Sequence, residues 1–283
     1  MRPALWLLAV PATVFFLVFF ALPVVSLLAI ALDRAVAGIV TFQGDFVLSN
    51  FERFFNRPAY YMAAVRSVTI SATVALVCVV LGYPLAYLIA KTKNVARNTL
   101  LMILVLAAMQ LDMVIRLYGM MVLLGDRGVI NEALISAGLI SSPLPLMYNT
   151  FGVVMGLVQF TLPFMVLSLV GIIRGIDPSL EEAARSLGAT RGQTFARITL
   201  PLSMPGILAG SLLVFALSIS SYVVPALMGG WRVVVLPIHI YQQVAEVGNW
   251  QMGAALACVL FALSLTAVAL YQHLARRATG GRA

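Results

Sequence analysis

Charge is what this chain is short of. Only 10% of its 283 residues are Asp, Glu, Lys or Arg, against roughly 25% in an average soluble domain. With 62% hydrophobic residues and a mean hydropathy of +1.02, that deficit excludes an ordinary water-soluble fold and points to a polytopic membrane protein. Cysteine is scarce too. Cys78 and Cys258 both lie inside apolar runs, which excludes a disulfide framework or a paired-cysteine zinc site and makes both small buried hydrophobes. There are two histidines, His239 and His273, and no His-Glu-x-x-His helix or Gly-x-Ser-x-Gly elbow, so no metal ligands and no catalytic residues are expected. The Gly-x-x-x-x-Gly-Lys-Ser/Thr phosphate loop is also missing, since "GATRGQTF" lacks the lysine that reaches nucleotide phosphates. A net charge of +8 suggests nucleic acid in a soluble protein. Here the basic residues sit in short segments between apolar runs, where they set orientation in lipid, so no nucleic-acid partner is expected.

What the chain has instead is apolar length. A helix needs about 20 predominantly apolar residues to cross a bilayer. Six segments qualify, near 4–32, 65–90, 99–124, 150–173, 203–228 and 249–274. The expected fold is therefore all-α, with six transmembrane helices. The first stretch follows Arg2 as a signal peptide would, but it is about twice the length of a cleavable hydrophobic region and reads as a retained anchor. Pro11, Pro23, Pro84 and Pro163 fall inside spans, where bundles tolerate kinks if neighbours satisfy the freed carbonyls. The segment 129–147, with Asn131, Glu132 and a Ser-Ser-Pro interruption, reads as a short interfacial helix rather than a seventh span.

Orientation follows from the bases. With the N-terminus inside, Arg2, Lys91, Lys93, Arg97, Arg174, Arg185, Arg191, Arg197, Arg276, Arg277 and Arg282 are cytoplasmic, eleven of the eighteen. That bias predicts both termini in the cytoplasm. The domain plan is an N-terminal helix and external segment over 1–64, a core over 65–274 with a cytoplasmic loop at 174–201, and a tail over 275–283.

That loop contains "EEAARSLGATRGQTFARITLPLSMPG", residues 181–206, a charged island in an apolar chain. Ser179 followed by Glu182 offers a capping box, with Asp177-Pro178 an alternative start one turn earlier. Gly188 supplies a stop. Thr190 with Gln193 repeats the capping pattern, and a second short helix is expected to run to Pro201. The product is a bent helical hairpin.

The spacing of Glu182-Ala183-Ala184, Gly188, Ile198 and Leu200-Pro201 resembles the signature loop of the membrane subunits of ABC-type importers. "GDRGVIN", "TLPFMVLSLVGIIRGIDPSLEEAA", "LPLSMPGILAGSLLVF", "YVVPALMGG" and "NWQMGAAL" extend the likeness over roughly 110–260. They are similar to the spermidine/putrescine branch, whose members also include carriers of other small solutes. The resemblance implies a type I ABC importer permease fold in a bacterial cytoplasmic (inner) membrane. It implies that Glu182, Ala183, Ala184, Gly188, Ile198, Leu200 and Pro201 couple to an ABC ATPase dimer in the cytoplasm, Glu182 by polar contacts, the alanines by close approach and Gly188 by setting the bend. It further implies a second, related but distinct permease chain and an external or periplasmic solute-binding protein, with ATP and Mg held by the ATPase and no cofactor by this chain.

Polar residues inside spans are the direct clue to a path. Asp112 and Arg116 are four apart, acid first, a spacing that lets them pair on one helix face. By a rise of about 1.5 Å per residue they lie beyond the bilayer middle, at a depth similar to Ser218, Ser220, Ser221 and Tyr222, with Gln159 near mid-membrane. These seven are the candidates for lining one outward-opening cavity, although serines also simply permit close helix packing and Arg116 can snorkel. A stand-alone channel or ion-coupled secondary transporter is the alternative. It predicts interrupted helices in both halves or several intramembrane acids, neither of which is evident. A purely structural subunit needs no polar lining.

Overall fold

A computed structural model of the chain describes residues 4–34 and 44–278, and side chains over 10–34 and 44–273. Among these residues the structure is helix and connecting turn, without a strand. Five helices are long and apolar enough to cross a membrane: Val10–Ala31, Pro58–Lys91, Thr150–Arg174, Arg191–Ile219 and Trp250–His273. Two further pairs, Val95–Gln110 with Met113–Ser136 and Val223–Arg232 with Leu236–Glu246, reach that length only together, bent by 101° and 92°.

The N-terminal rod is α1 (Ala4–Phe16), a single π turn over Leu17–Ala21, and α2 (Leu22–Ala31). Proline at position 23 has no N–H to give the preceding turn. The π turn widens the helix there, and Leu22 N–H closes on Leu17 O. Almost none of Val10–Ala31 is buried within the chain.

The chain divides into two compact units. One comprises Met1–Val65 and Val235–Leu263. Here α3 (Ser49–Asn56) turns Asn50 inward, and its Nδ2 donates to Ala31 O at 3.0 Å and Asp33 O at 2.8 Å, satisfying carbonyls that the end of α2 leaves open. Phe54, Tyr60, Ala64, Leu236, Met252 and Leu256 form the apolar cluster of this unit. Leu236 belongs to α13 (Leu236–Tyr241), and Met252 and Leu256 to the first part of α14 (Trp250–Ala278).

The other unit, Arg66–Val234 with Ser264–Ala283, centres on α8 (Thr150–Arg174), the most buried of the long helices. It takes up most of α4 (Pro58–Lys91), then α5 (Val95–Gln110), α6 (Met113–Leu124), α7 (Val129–Ser136), α9 (Pro178–Ser186), α10 (Arg191–Thr194), α11 (Leu200–Ile219) and α12 (Val223–Gly229). The α8–α11 contact is close because α11 presents small residues. A Cβ on Gly210 would lie 2.6 Å from Met165 Sδ, and one on Gly206 3.0 Å from Ile172, the small-residue packing that brings helices together in lipid.

Three expectations about the elements are corrected. The third span is not one helix over 99–124. Leu111 and Asp112 are extended, with ψ of 133° and 139°, and Asp112 caps α6 by accepting from Val114 N–H at 2.9 Å and Ile115 N–H at 3.3 Å. The fifth span does not continue to 228, because α11 ends at Ile219 and α12 starts after Tyr222. Interrupted helices are thus present. Pro201 does not stop the helix of the loop either: α10, a π turn over Phe195–Thr199 and α11 are continuous. Leu200 N–H closes on Phe195 O, so the register slips by one residue where the proline lacks its donor. The same Leu-Pro arrangement follows both this turn and the one at Leu17–Ala21. Over 129–147 the chain forms only the short α7, followed by non-helical backbone. Asn131 there is wholly buried, bonding Gly125 O, Leu144 O and Leu144 N–H and so closing the loop on itself.

Candidate functional site: a charged hairpin and a membrane cavity

The hairpin starts where Asp177, not Ser179, caps α9, its carboxylate accepting from Ser179 N–H at 2.9 Å. That bond holds the Asp177 carboxyl below its ordinary range. The helix ends on Gly188, at φ +86°, in the left-handed region that side chains disfavour. Gly188 N–H reaches Arg185 O, and Ala189 N–H reaches Ala184 O. The Thr190–Gln193 capping box is present with both bonds: Thr190 N–H to Gln193 Oε1 at 2.9 Å and Gln193 N–H to Thr190 Oγ1 at 3.3 Å. Two short helices are therefore locked at an angle by local hydrogen bonds, without needing a large core.

The two glutamates of the doublet separate. Glu182 and Ala183 are exposed, with Ala184 half-buried. Leu187 at the tip is 89% exposed. Ala184, Leu187, Gly188, Gln193, Arg197 and Ile198 are among the residues around a cleft of about 350 Å³. Leu200 is half-buried at the root of the hairpin and Pro201 is exposed. Glu181, absent from the sequence reading, is the buried one at 8% exposure. Its Oε1 accepts from Thr199 Oγ1 at 2.7 Å and pairs with Lys91 Nζ at 2.8 Å. Burial alone pushes this carboxyl up, but the ammonium and the hydroxyl outweigh it, and the group sits below its usual range. No local pattern foretold this, because the charged partner lies at the end of α4, far away in sequence.

The same end of the unit is tied elsewhere. Asn98 donates to Ile89 O at 2.6 Å and accepts from Arg174 at 2.9 Å, joining α4, α5 and α8. Tyr83 and Ser203 hydroxyls meet at 2.8 Å, and Phe195 stands edge-on to Tyr83 and Tyr87.

The polar groups of the spans do not gather as one lining. A cavity of about 420 Å³ lies among α4, α5, α6 and α8, with Arg116 and Gln159 in otherwise apolar walls that include Leu104, Leu111 and Pro163. Arg116 does not pair with Asp112, which is occupied as a cap. Its Nη2 instead donates to the Gln159 carbonyl, the group left open because Pro163, four residues on, has no N–H. Ser218, Ser220, Ser221 and Tyr222 stand at the α11–α12 break and do not line this cavity. Ser220 bonds back to Ala216 O at 2.9 Å. Ser218 and Ser221, exposed by 4% and 9%, have hydroxyls with no hydrogen-bond partner. No group of three or more His, Cys, Asp or Glu among the described residues could hold a metal. Cys78 and Cys258 are free thiols, the first buried.

An all-helical bundle with a charged, cap-locked hairpin between two spans matches a known pattern from end to end. Residues 3–280 fit the family described as binding-protein-dependent transport system inner membrane component. The chain belongs to that family. This permease is 38% identical over 215 residues to the spermidine/putrescine transport system permease protein PotB of Escherichia coli (strain K12), across 76% of this chain and 78% of that one. To PotB of Haemophilus influenzae it is 36% identical over 224 residues, 79% and 78% of the two chains. Its fold is similar to a chain of the bacterial alginate ABC transporter in complex with alginate pentasaccharide-bound periplasmic protein, with a TM-score of 0.79 at 20% identity over 98% and 95% of the chains. The protein is a permease subunit of an ABC importer with the type I fold. It is multi-pass in the inner membrane, and it is a transport component rather than a catalytic enzyme.

Proposed function

We propose that the α9–α10 hairpin is where a cytoplasmic ABC ATPase docks, and that this permease forms half of the import path for a small solute handed over by an external or periplasmic binding protein. The hairpin surface carries the reading. Glu182, Ala183 and the tip at Leu187 face outward beside an open cleft, on a frame held rigid by Asp177, Gly188 and the Thr190–Gln193 box. Both termini then lie in the cytoplasm with the hairpin, as the lysine and arginine distribution favours. A second, related permease chain completes the path, two ATPase subunits hold ATP and Mg, and this chain binds neither. Asp112, Arg116, Gln159, Ser218, Ser220, Ser221 and Tyr222 are the polar groups along the path. The cargo is a polyamine such as spermidine or putrescine, or a related small compound, a reading supported by the identity to PotB.

Glu182→Arg and Gly188→Pro test the docking. In both, the ATPase should no longer co-purify with the permease, while the bundle remains monodisperse in detergent because the affected residues lie outside the spans. Retention of the ATPase by both variants would refute the docking reading. For the cargo, proteoliposomes holding the complete complex should take up labelled spermidine or putrescine with ATP. A complex that hydrolyses ATP yet admits neither rules out both polyamines.

A further inference from the structure

Glu181 is the one acid of the hairpin turned into the protein, and it ties its own helix to two other stretches of chain. It lies in the first turn of α9. Its Oε1 accepts from Thr199, the last residue of the π turn leading into α11, and pairs with Lys91, the last residue of α4. Both charges sit where helix ends favour them, a carboxylate at a helix start and an ammonium at a helix end. The remainder of α9 packs on α10 and the π turn; Phe195 of that turn touches Tyr83 and Tyr87 of α4, and the ion pair ties α9 itself to the last residue of α4. A buried ion pair is a poor source of net stability compared with apolar packing, but it discriminates strongly between geometries, because separating the partners leaves an uncompensated charge. Its natural use is to fix one arrangement of two elements.

We propose that Lys91, Glu181 and Thr199 form a latch that makes the hairpin and the inner end of α4 move as one body, so that displacement of the docked hairpin is passed to α4 as well as to α11. This rests on the reading that the hairpin receives the ATPase. The three are positioning residues: Glu182 and the cleft face the partner, while Glu181 faces the bundle and determines which helices follow. Without the latch, Phe195 would still touch α4, but α9 would be free to turn against the end of that helix.

The test uses the full chain with Cys78 and Cys258 replaced and spin labels at the exposed positions Lys93, just after α4, and Ser186, in α9. In lipid nanodiscs without ATPase, the wild-type background should give a single narrow label-to-label distance. Glu181→Gln, which keeps an oxygen for Thr199 but loses the charge facing Lys91, should broaden it. Lys91→Met, at the margin of the bundle, should broaden it equally and serves if the first variant folds poorly. The exchanged pair Lys91→Glu with Glu181→Lys should restore the narrow distribution, which a loss of general stability would not permit. With ATPase bound and nucleotide trapped, the distance should stay constant in the wild type and change in Glu181→Gln. Distributions in both single variants indistinguishable from wild type overturn the latch. Failure of the wild-type chain to bind any ATPase overturns the docking reading instead, while the nucleotide-free comparison still decides the latch.

Discussion

Replacing Arg116 by methionine isolates a single hydrogen bond. In α8 the N–H that should close on the Gln159 carbonyl belongs to position 163, where proline has none, and the Arg116 guanidinium takes its place. Arg116→Met keeps a long apolar side chain in the cavity wall and strands that carbonyl. An unsatisfied buried carbonyl costs about 1–3 kcal/mol in protein interiors, whereas interhelical hydrogen bonds in bilayers average about 0.6 kcal/mol because the unfolded chain finds other partners. Here the proline denies the carbonyl its intrahelical partner in any helical state, so the upper scale applies and a loss of about 1–2 kcal/mol is expected. Pro163→Ala supplies the missing N–H from the same helix. In that background Arg116→Met should cost no more than about 0.5 kcal/mol, which leaves a coupling of about 1 kcal/mol between the two sites. Unfolding of the purified permease and its three variants in mixed micelles of rising SDS content, followed by tryptophan fluorescence and circular dichroism, closes the cycle. Additivity within about 0.5 kcal/mol would refute the claim that Arg116 is held in place by the carbonyl that Pro163 leaves open.

Gly210→Val places branched carbons where Met165 already lies 2.6 Å from an ideal Cβ; separating α8 from α11 should cost about 1–3 kcal/mol, read as an earlier SDS midpoint, and an unchanged midpoint would show the contact to be loose. Glu181 titrates below its ordinary value of 4.5, so its contribution is complete above that pH and is lost as pH falls through the lower folded value. Hairpin order, measured by the mobility of a spin label at Ser186, should be flat from neutral pH down to about 5 and fall below it, and Glu181→Gln should remove that acid limb. Ser221→Cys, with Cys78 and Cys258 replaced, should react with a water-soluble thiol reagent faster from outside when ATP is trapped on the complex than at rest, since thiolate chemistry needs water; equal rates would make the α11–α12 serines packing residues.

The long apolar helices were legible from composition because lipid demands unbroken apolar length, and the hairpin was legible because caps and a left-handed glycine act within a few residues. The breaks were harder for a physical reason. Aspartate four residues before arginine suits an ion pair on a helix and an N-cap equally well. What decides is the demand of Gln159 O for Arg116, made across 43 residues of sequence. Proline at 201 reads as a stop by a sound rule, but one extra residue in the preceding turn absorbs its missing donor. Glu181 gave no sign, since adjacent glutamates on a short helix look alike until Lys91 arrives from α4.

The π turn at Phe195–Thr199 has a geometric meaning for the whole loop. A π turn is an α-helix carrying one surplus residue, and each residue of an α-helix advances by about 100° and 1.5 Å. The wide turn absorbs that surplus locally, so deleting one residue between 195 and 199 would close it to an ordinary α turn and leave the hairpin on nearly its present bearing. A residue inserted where the helix stays regularly α would instead turn everything ahead of it by about 100°, swinging Glu181 away from Lys91 and re-aiming Glu182 and Leu187. The π turn thus lets this helix carry an extra residue ahead of Pro201 without changing the bearing on which the permease offers its charged hairpin.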